Sequence, residues 1–275
     1  MCRDAVGYEA RIYLTESAVL LGMPLAAEIG FRWGLALHRR HRDAVASQIG
    51  VVQATTFAIL GLLAAFTMSM AETRFSARRQ LIIDEANAIG TSYLRSRYLA
   101  EPHASALAPL FRRYVDSRVA FYAVRDDAAA IVAEIATTKR LQRAIWDHAI
   151  VVVRDEPTHG DTNASFVEAV NLMINLENAR VAAVATHVPA TVLALVALMG
   201  LAACATTGYA GGLGGTRAWL ALLMLPLLVG CALCVTLDLD SPRLGLITTG
   251  QLPMERLQRS LHEDTEHAAR PTDPG

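Results

Sequence analysis

AVASQIGVVQATTFAILGLLAAFTMSMA, residues 44 to 71, contains no Asp, Glu, Lys, Arg or His. About 20 such residues suffice to cross a hydrocarbon core roughly 30 Å thick, because an α-helix satisfies its own backbone groups where no water is present. The run predicts a membrane-spanning helix and sets the class of the whole chain. Two more uncharged stretches, 188 to 216 and 218 to 237, predict two further spans. A fourth candidate, IYLTESAVLLGMPLAAEIGF at 12 to 31, is weaker: only Ser17 to Ala27 is free of charge, and Pro24 interrupts it. A short core segment or a re-entrant hairpin would also fit. A span is preferred because Glu16 and Glu28 lie near its ends, where an ionised group reaches the interface at far below its midplane cost.

The expected fold is therefore all-α and polytopic, with about four transmembrane helices. Residues 12–71 hold spans 1 and 2, residues 72–183 form a helical domain inserted between spans 2 and 3, and residues 184–240 hold spans 3 and 4. Residues 241–275 make a C-terminal segment whose polar, proline-containing end is expected to be disordered from about 258. Composition agrees: 53% of the 275 residues are apolar, 19% are charged, and the mean hydropathy is +0.32. The net charge of -1 and the lack of a basic stripe interleaved with aromatics exclude nucleic acid as a partner. The mixed charge of MCRDAVGYEAR argues against a removable signal peptide, so the N-terminus is expected to be retained.

Four spans would place both termini and the central domain on one side. Near the membrane that side carries Arg3, Arg11, Arg74, Arg78, Arg79, Arg180, Arg243 and Arg256, against Arg32, Arg39, Arg40, Arg42 and Arg217 on the other. Eight against five places the central domain in the cytoplasm, although HRRHR at 38–42 is the densest basic cluster in the chain.

Glycine occurs in 72–183 only at Gly90 and Gly160, and prolines 102, 109 and 157 put helix breaks near 100–104 and 155–162. Ile82, Ala86, Ile89 and Tyr93 recur on one helical face, in a helix that continues span 2. A second helix is expected over about 105–124 and a third over 126–153, with Ile131, Ile135 and Ile145 apolar. Asp161 or Thr162 would cap a fourth, carrying Phe166, Val170, Met173, Glu177, Val181 and Val184 and feeding span 3. These helices make an antiparallel hairpin array.

Within the first helix, DEANAIGTSYLR at 84–95 sets Asp84, Glu85 and Asn87 close together. Ligands from one straight helix cannot wrap six to eight oxygens around a calcium ion, so no metal is expected there. Small Ala86, Ala88 and Gly90 favour close helix approach, with Glu85 and Asn87 bonding across a helix or subunit boundary and Arg112, Arg113 and Arg118 as partners. In span 2, Gly61, Ala65 and Ser69 are spaced by four, as are Ala54 and Ala58, which predicts helix contact. Hydroxyls at Thr55, Thr56, Thr67 and Ser69 would suit a channel wall but more often bond their own backbone carbonyls. The candidate packing or pore set is thus Thr56, Gly61, Ala65 and Ser69.

Other constellations carry no chemistry. Cys231 and Cys234, with Cys204, sit in spans without a nearby histidine and read as packing residues. The glycines of TTGYAGGLGGTR, 206–217, are followed by no Lys, and read as a flexible turn between spans 3 and 4. His38 and His41 have only arginines beside them, His187 stands alone, and His148 with Asp147 reads as a surface pair, so neither a zinc site nor a catalytic triad is expected. No enzyme activity and no cofactor are expected. Asp238 and Asp240 close span 4 and read as salt-bridge partners of Arg243 or a neighbouring arginine, in preference to a cation vestibule.

RRQLIIDEANAIGTSYLR at 78–95, RRYVDSR at 112–118 and LDLDSPRLGLITTGQLPMERL at 237–257 resemble signature segments of the bestrophin-like family of bacterial membrane proteins, over roughly 25–257. That family is a distant relative of the bestrophins, pentameric anion channels whose second transmembrane helix lines the pore and whose helical cytosolic part continues it. The resemblance implies a multi-pass protein of the bacterial inner membrane that forms a homo-oligomer in the lipid bilayer, with inorganic anions as its permeant partners. It singles out Arg79, Asp84, Glu85, Asn87, Arg95, Asp238, Asp240 and Arg243 as signature polar residues. The chain departs from true bestrophins in lacking a proline-bearing neck in span 2 and an acidic cluster like their calcium clasp. Two functions follow: an anion channel, or a non-conducting membrane scaffold or sensor whose helical domain binds a partner.

Overall fold

A computed structural model describes residues 2–37, 43–124, 128–155, 159–217, 219–241 and 247–269. Among them there is no strand. The helices are α1 (Cys2–Leu37), α2 (Asp43–Ser96), α3 (His103–Ala123), α4 (Ala128–Asp155), α5 (Gly160–Val184), α6 (Ala190–Gly214), α7 (Trp219–Asp240) and α8 (Leu252–Ala269). They divide into two compact units, one of Met1–Val6, Ser76–Thr186 and Thr249–Gly275, the other of Gly7–Phe75 and His187–Thr248.

The second unit holds α1 from Gly7, α2 as far as Phe75, α6 and α7. Four stretches are long and apolar enough to cross a bilayer: Ser17–Leu37, Gln48–Ser96, Ala190–Gly214 and Leu223–Asp240. The first lies further along the chain than the 12–31 expected, and α1 runs unbroken through Pro24. Met23, Ala27, Leu60, Val196, Ala203 and Leu233 form the packed centre of this unit.

In it α1 and α6 approach backbone to backbone. A Cβ on Gly208 would stand 1.9 Å from the Ala27 carbonyl oxygen, and one on Gly212 would stand 2.2 Å from that of Phe31. In return, a Cβ on Gly30 would lie 2.1 Å from the Ala205 oxygen and one on Gly34 2.3 Å from that of Tyr209. Two GxxxG pairs thus face each other, and only glycine lets the backbones come this near. This corrects the reading of 206–217 as a flexible turn. The segment is helical to Gly214, and the chain turns at Gly215 (φ 67°), where the amides of Gly215 and Thr216 return to the carbonyls of Gly212 and Gly211. Counting glycines suggested a loop, but four-residue spacing inside an apolar run lets each glycine pack against a neighbour.

The stripe on α2 behaves in the opposite way. Gly61, Ala65 and Ser69 are exposed, and a Cβ on Gly61 would meet nothing within 4 Å. The face of α2 that packs is Thr56, Leu60, Thr67 and Ala71. The expected small-residue contact of Gly61, Ala65 and Ser69 is therefore not made among the described residues. Spacing identifies a face but not what lies against it.

In the first unit, the predicted stripe of Ile82, Ala86, Ile89 and Tyr93 is buried. It belongs to the end of α2, whose Ala86, Ile89 and Tyr93 share a core with Phe111 and Val115 of α3, Ile145 of α4 and Phe166 of α5. One boundary differs from expectation. Neither Asp161 nor Thr162 caps α5: His159 occupies the N-cap without a side-chain capping bond, and Asp161 lies in the first turn, where its charge suits the helix dipole. α5 leads to α6 through a non-helical connector, 185–189, because the residue before a proline avoids the α-helical region. The tail is also corrected. Instead of disorder from 258, α8 runs to Ala269, with Met254, Leu257 and Leu261 at i, i+3 and i+7 packed into the core. Averaged composition hid that periodic stripe.

Candidate functional site

The end of α2 brings Glu85 into the centre of the first unit, fully buried. Its Oε1 accepts from Arg118 Nε of α3 at 2.6 Å, its Oε2 accepts from Arg118 Nη2 at 3.3 Å, and Arg180 Nη1 of α5 also donates to Oε2. A second buried carboxylate, Glu177 of α5, accepts at Oε2 from Lys139 Nζ at 2.7 Å and Gln142 Nε2 at 3.3 Å, both on α4. Arg118 Nη1 stands 3.7 Å from Glu177 Oε1, a distance for charge attraction but not for a hydrogen bond. Arg180 also donates from Nη2 to Gln251 Oε1 at 2.6 Å, just before α8, and its guanidinium stacks 3.8 Å from the Tyr122 ring centre. Two carboxylates and three cations thereby join α2, α3, α4, α5 and the approach to α8.

Burial pushes the Tyr114 phenol well above its ordinary value, and its oxygen accepts from Gln142 Nε2 at 3.2 Å. For Arg118, burial opposes the charge, but Glu85 beside it more than compensates and the guanidinium stays protonated. Removing one member would strand a buried charge, so the cluster fixes the relative positions of its helices more than it adds stability.

At the α5–α6 connector, arginines and an aspartate satisfy helix ends. Arg78, buried, donates to the carbonyls of Ala183 (3.2 Å) and Thr186 (2.6 Å) in the first unit. In the second unit, Arg74 Nη1 donates to the His187 carbonyl at 2.8 Å. Asp240 Oδ2 accepts from the Val188 amide at 2.9 Å and lies 3.4 Å from His187 Nδ1, while Asp238 Oδ2 accepts from the Ile247 amide at 2.8 Å. His187 is thus partnered, contrary to the expectation that it stands alone.

A polar groove of ≈ 680 Å³ lies between α2 and α5, lined by Asp84, Asn87, Thr91, Glu168, Asn171 and Asn175 among others. In the second unit an apolar pocket of ≈ 250 Å³ between α2, α6 and α7 includes Gly61 and Thr67. Hydroxyls of Thr55, Thr56 and Thr67 bond the carbonyls four residues back, at 2.9, 2.8 and 2.7 Å.

Residues 23–253 match the family described as Bestrophin-like domain. The chain belongs to the bestrophin-like family. Three structures of a bacterial bestrophin homologue from Klebsiella pneumoniae, each carrying a point mutation, have the same fold. They superpose with TM-scores of 0.62, 0.61 and 0.58 at 16%, 16% and 18% identity. The alignments cover 90%, 93% and 93% of this chain and 98%, 99% and 95% of theirs. No curated protein matches the sequence.

Of the signature residues of this bestrophin-like chain, Glu85 sits in the charge cluster, Asp84 and Asn87 line the groove, and Asp240 and Asp238 hold backbone amides. Arg95 lines the groove too and donates to the Ser165 carbonyl at 2.7 Å. Arg79 is exposed, whereas its neighbour Arg78 makes the buried bonds. Arg243, the expected partner of Asp238 and Asp240, lies outside the described residues, as do Arg39, Arg40 and Arg42. Of the three arginines expected to meet Glu85, Arg118 does, and its second partner is Arg180 in place of Arg112 or Arg113. Sequence reading missed Arg180 and Lys139 as partners of Glu85 and Glu177. The available signal was helical spacing: Glu177 and Arg180 are three residues apart and share a face with Met173.

Proposed function

We propose that this bestrophin-like protein is an oligomeric anion channel of the bacterial inner membrane, in which copies of α2 surround the conducting path. In this reading the chain crosses the bilayer four times, and its termini and residues 72–183 lie in the cytoplasm. The observation that carries it is the exposure of α2: its apolar window is only 11% buried, against 39% for the end of α7, so it keeps the most surface for lipid, other copies or an axis. Gly61, Ala65 and Ser69 run along that surface and would allow close approach between copies. The stretch 44–71 has no charge, so a path along it would be an apolar constriction of the kind that gates by dewetting.

Halide flux into liposomes carrying the purified protein tests the proposal, with protein-free vesicles as background. A Cβ on Gly61 would meet nothing within 4 Å, so Gly61→Leu is expected to leave the fold intact and abolish flux. Flux at background from well-folded wild-type oligomer would refute conduction. It would favour the other reading, a non-conducting scaffold or sensor, for which the open groove between α2 and α5 is the partner-binding surface.

A further inference from the structure

We propose that the groove between α2 and α5 receives the outer face of α4 from a second copy of this chain, in a head-to-tail contact. The proposal rests on the oligomeric part of the channel reading and names the surfaces that would build the assembly.

Both surfaces belong to the first unit, and both leave apolar side chains in the open. In the groove Leu172 of α5 is 52% exposed; on α2, next to the lining residue Arg95, Leu94 is 56% exposed, and Tyr98 just past the end of α2 is 77% exposed. On α4, Val132, Arg140, Arg143, Ile150, Val151 and Arg154 are all exposed, and a helical step of about 100° per residue gathers them into one sector about 100° wide. Apolar groups clustered on two faces of one unit mark contact surfaces.

Charge decides which face meets which. Asp84 and Glu168 make the groove acidic, and the one arginine in its lining, Arg95, donates to the Ser165 carbonyl. The α4 sector carries Arg140, Arg143 and Arg154 against Asp147. A groove-to-groove contact would set Asp84 and Glu168 against their own counterparts, and an α4-to-α4 contact would set arginines against arginines, each at a cost in like-charge repulsion. Only α4 in the groove pairs opposite signs. The asparagine amides of the groove, at 87, 171 and 175, can both donate and accept towards the arginines and backbone of an incoming helix. Because the two surfaces differ, each copy offers one and receives the other, and the contact propagates until rotation closes a ring.

The test is the stoichiometry of full-length protein in detergent by native mass spectrometry, with circular dichroism to verify helicity. A groove variant, Asp84→Lys with Glu168→Lys, and an α4 variant, Arg140→Glu with Arg143→Glu, alter residues that are exposed or, for Asp84, half-buried. Each alone is expected to raise the concentration needed for assembly at least about tenfold, leaving folded monomer. All four substitutions in one chain are expected to restore the wild-type oligomer, and mixing the two variants is expected to give assemblies containing both. The contact is refuted if the α4 variant keeps wild-type stoichiometry, or if the fourfold variant stays monomeric. Flux from an oligomer indifferent to these substitutions would overturn the contact and leave the channel reading intact. Assembly through them without flux would overturn the channel reading alone.

Discussion

At the scale of single residues, Glu85 is the most constrained group in the first unit. Its carboxylate is the shared acceptor of Arg118 and Arg180, both essentially without solvent exposure. Glu85→Gln removes the charge and strands two buried guanidinium groups, which costs about 3–5 kcal/mol when a buried pair is broken. A large drop in melting temperature is therefore expected, with a smaller one for Lys139→Met, since Glu177 then keeps Gln142 Nε2 at 3.3 Å and the Arg118 guanidinium at 3.7 Å. Equal drops for the two variants would contradict this ranking. Tyr114 gives a pH-dependent counterpart. Burial raises its folded pKa above the unfolded value near 10, so its contribution to stability is present below that pH and is lost as the pH rises through it. Above about pH 10 the wild type should lose up to about 1.4 kcal/mol per pH unit more than Tyr114→Phe, as read from denaturant midpoints at pH 9 and pH 11.

At the scale of elements, the contrast between two sets of glycines is the informative one. Gly208 packs on the Ala27 carbonyl and cannot accept a methyl group without moving backbone, whereas Gly61 has open space around it. Gly208→Ala is expected to abolish recovery of folded protein or to lower its stability by several times more than Gly61→Ala, which should lie within about 1 kcal/mol of wild type. Size-exclusion profiles and melting curves of the two variants check this. The same contrast shows what could be read beforehand. Periodicity located the helices from 82 to 184 to within a few residues, because buried faces repeat every 3.6 residues. It did not distinguish a glycine stripe that packs from one that does not, since both have four-residue spacing. For the same reason α8 was misread: a segment with low apolar content can still fold when Met254, Leu257 and Leu261 fall on one side and meet a core.

At the scale of the whole molecule, the sequence by itself determined the class: long uncharged runs can satisfy their backbones in lipid only as helices, and three signature segments resembled the bestrophin-like family, to which residues 23–253 belong. It also read Glu85 as bonding across a helix or subunit boundary, with Arg112, Arg113 and Arg118 of the next helix as candidate partners, because a buried carboxylate needs a cation. Only the tertiary structure decided the partners. Arg180 lies 95 residues from Glu85, Asp240 lies 52 from Val188, and Gly30 meets a carbonyl in α6; spacing along one helix contains none of these distances. Local periodicity follows from the geometry of one helix. The choice of neighbour depends on how all the helices share volume and charge, and that is settled only when they pack.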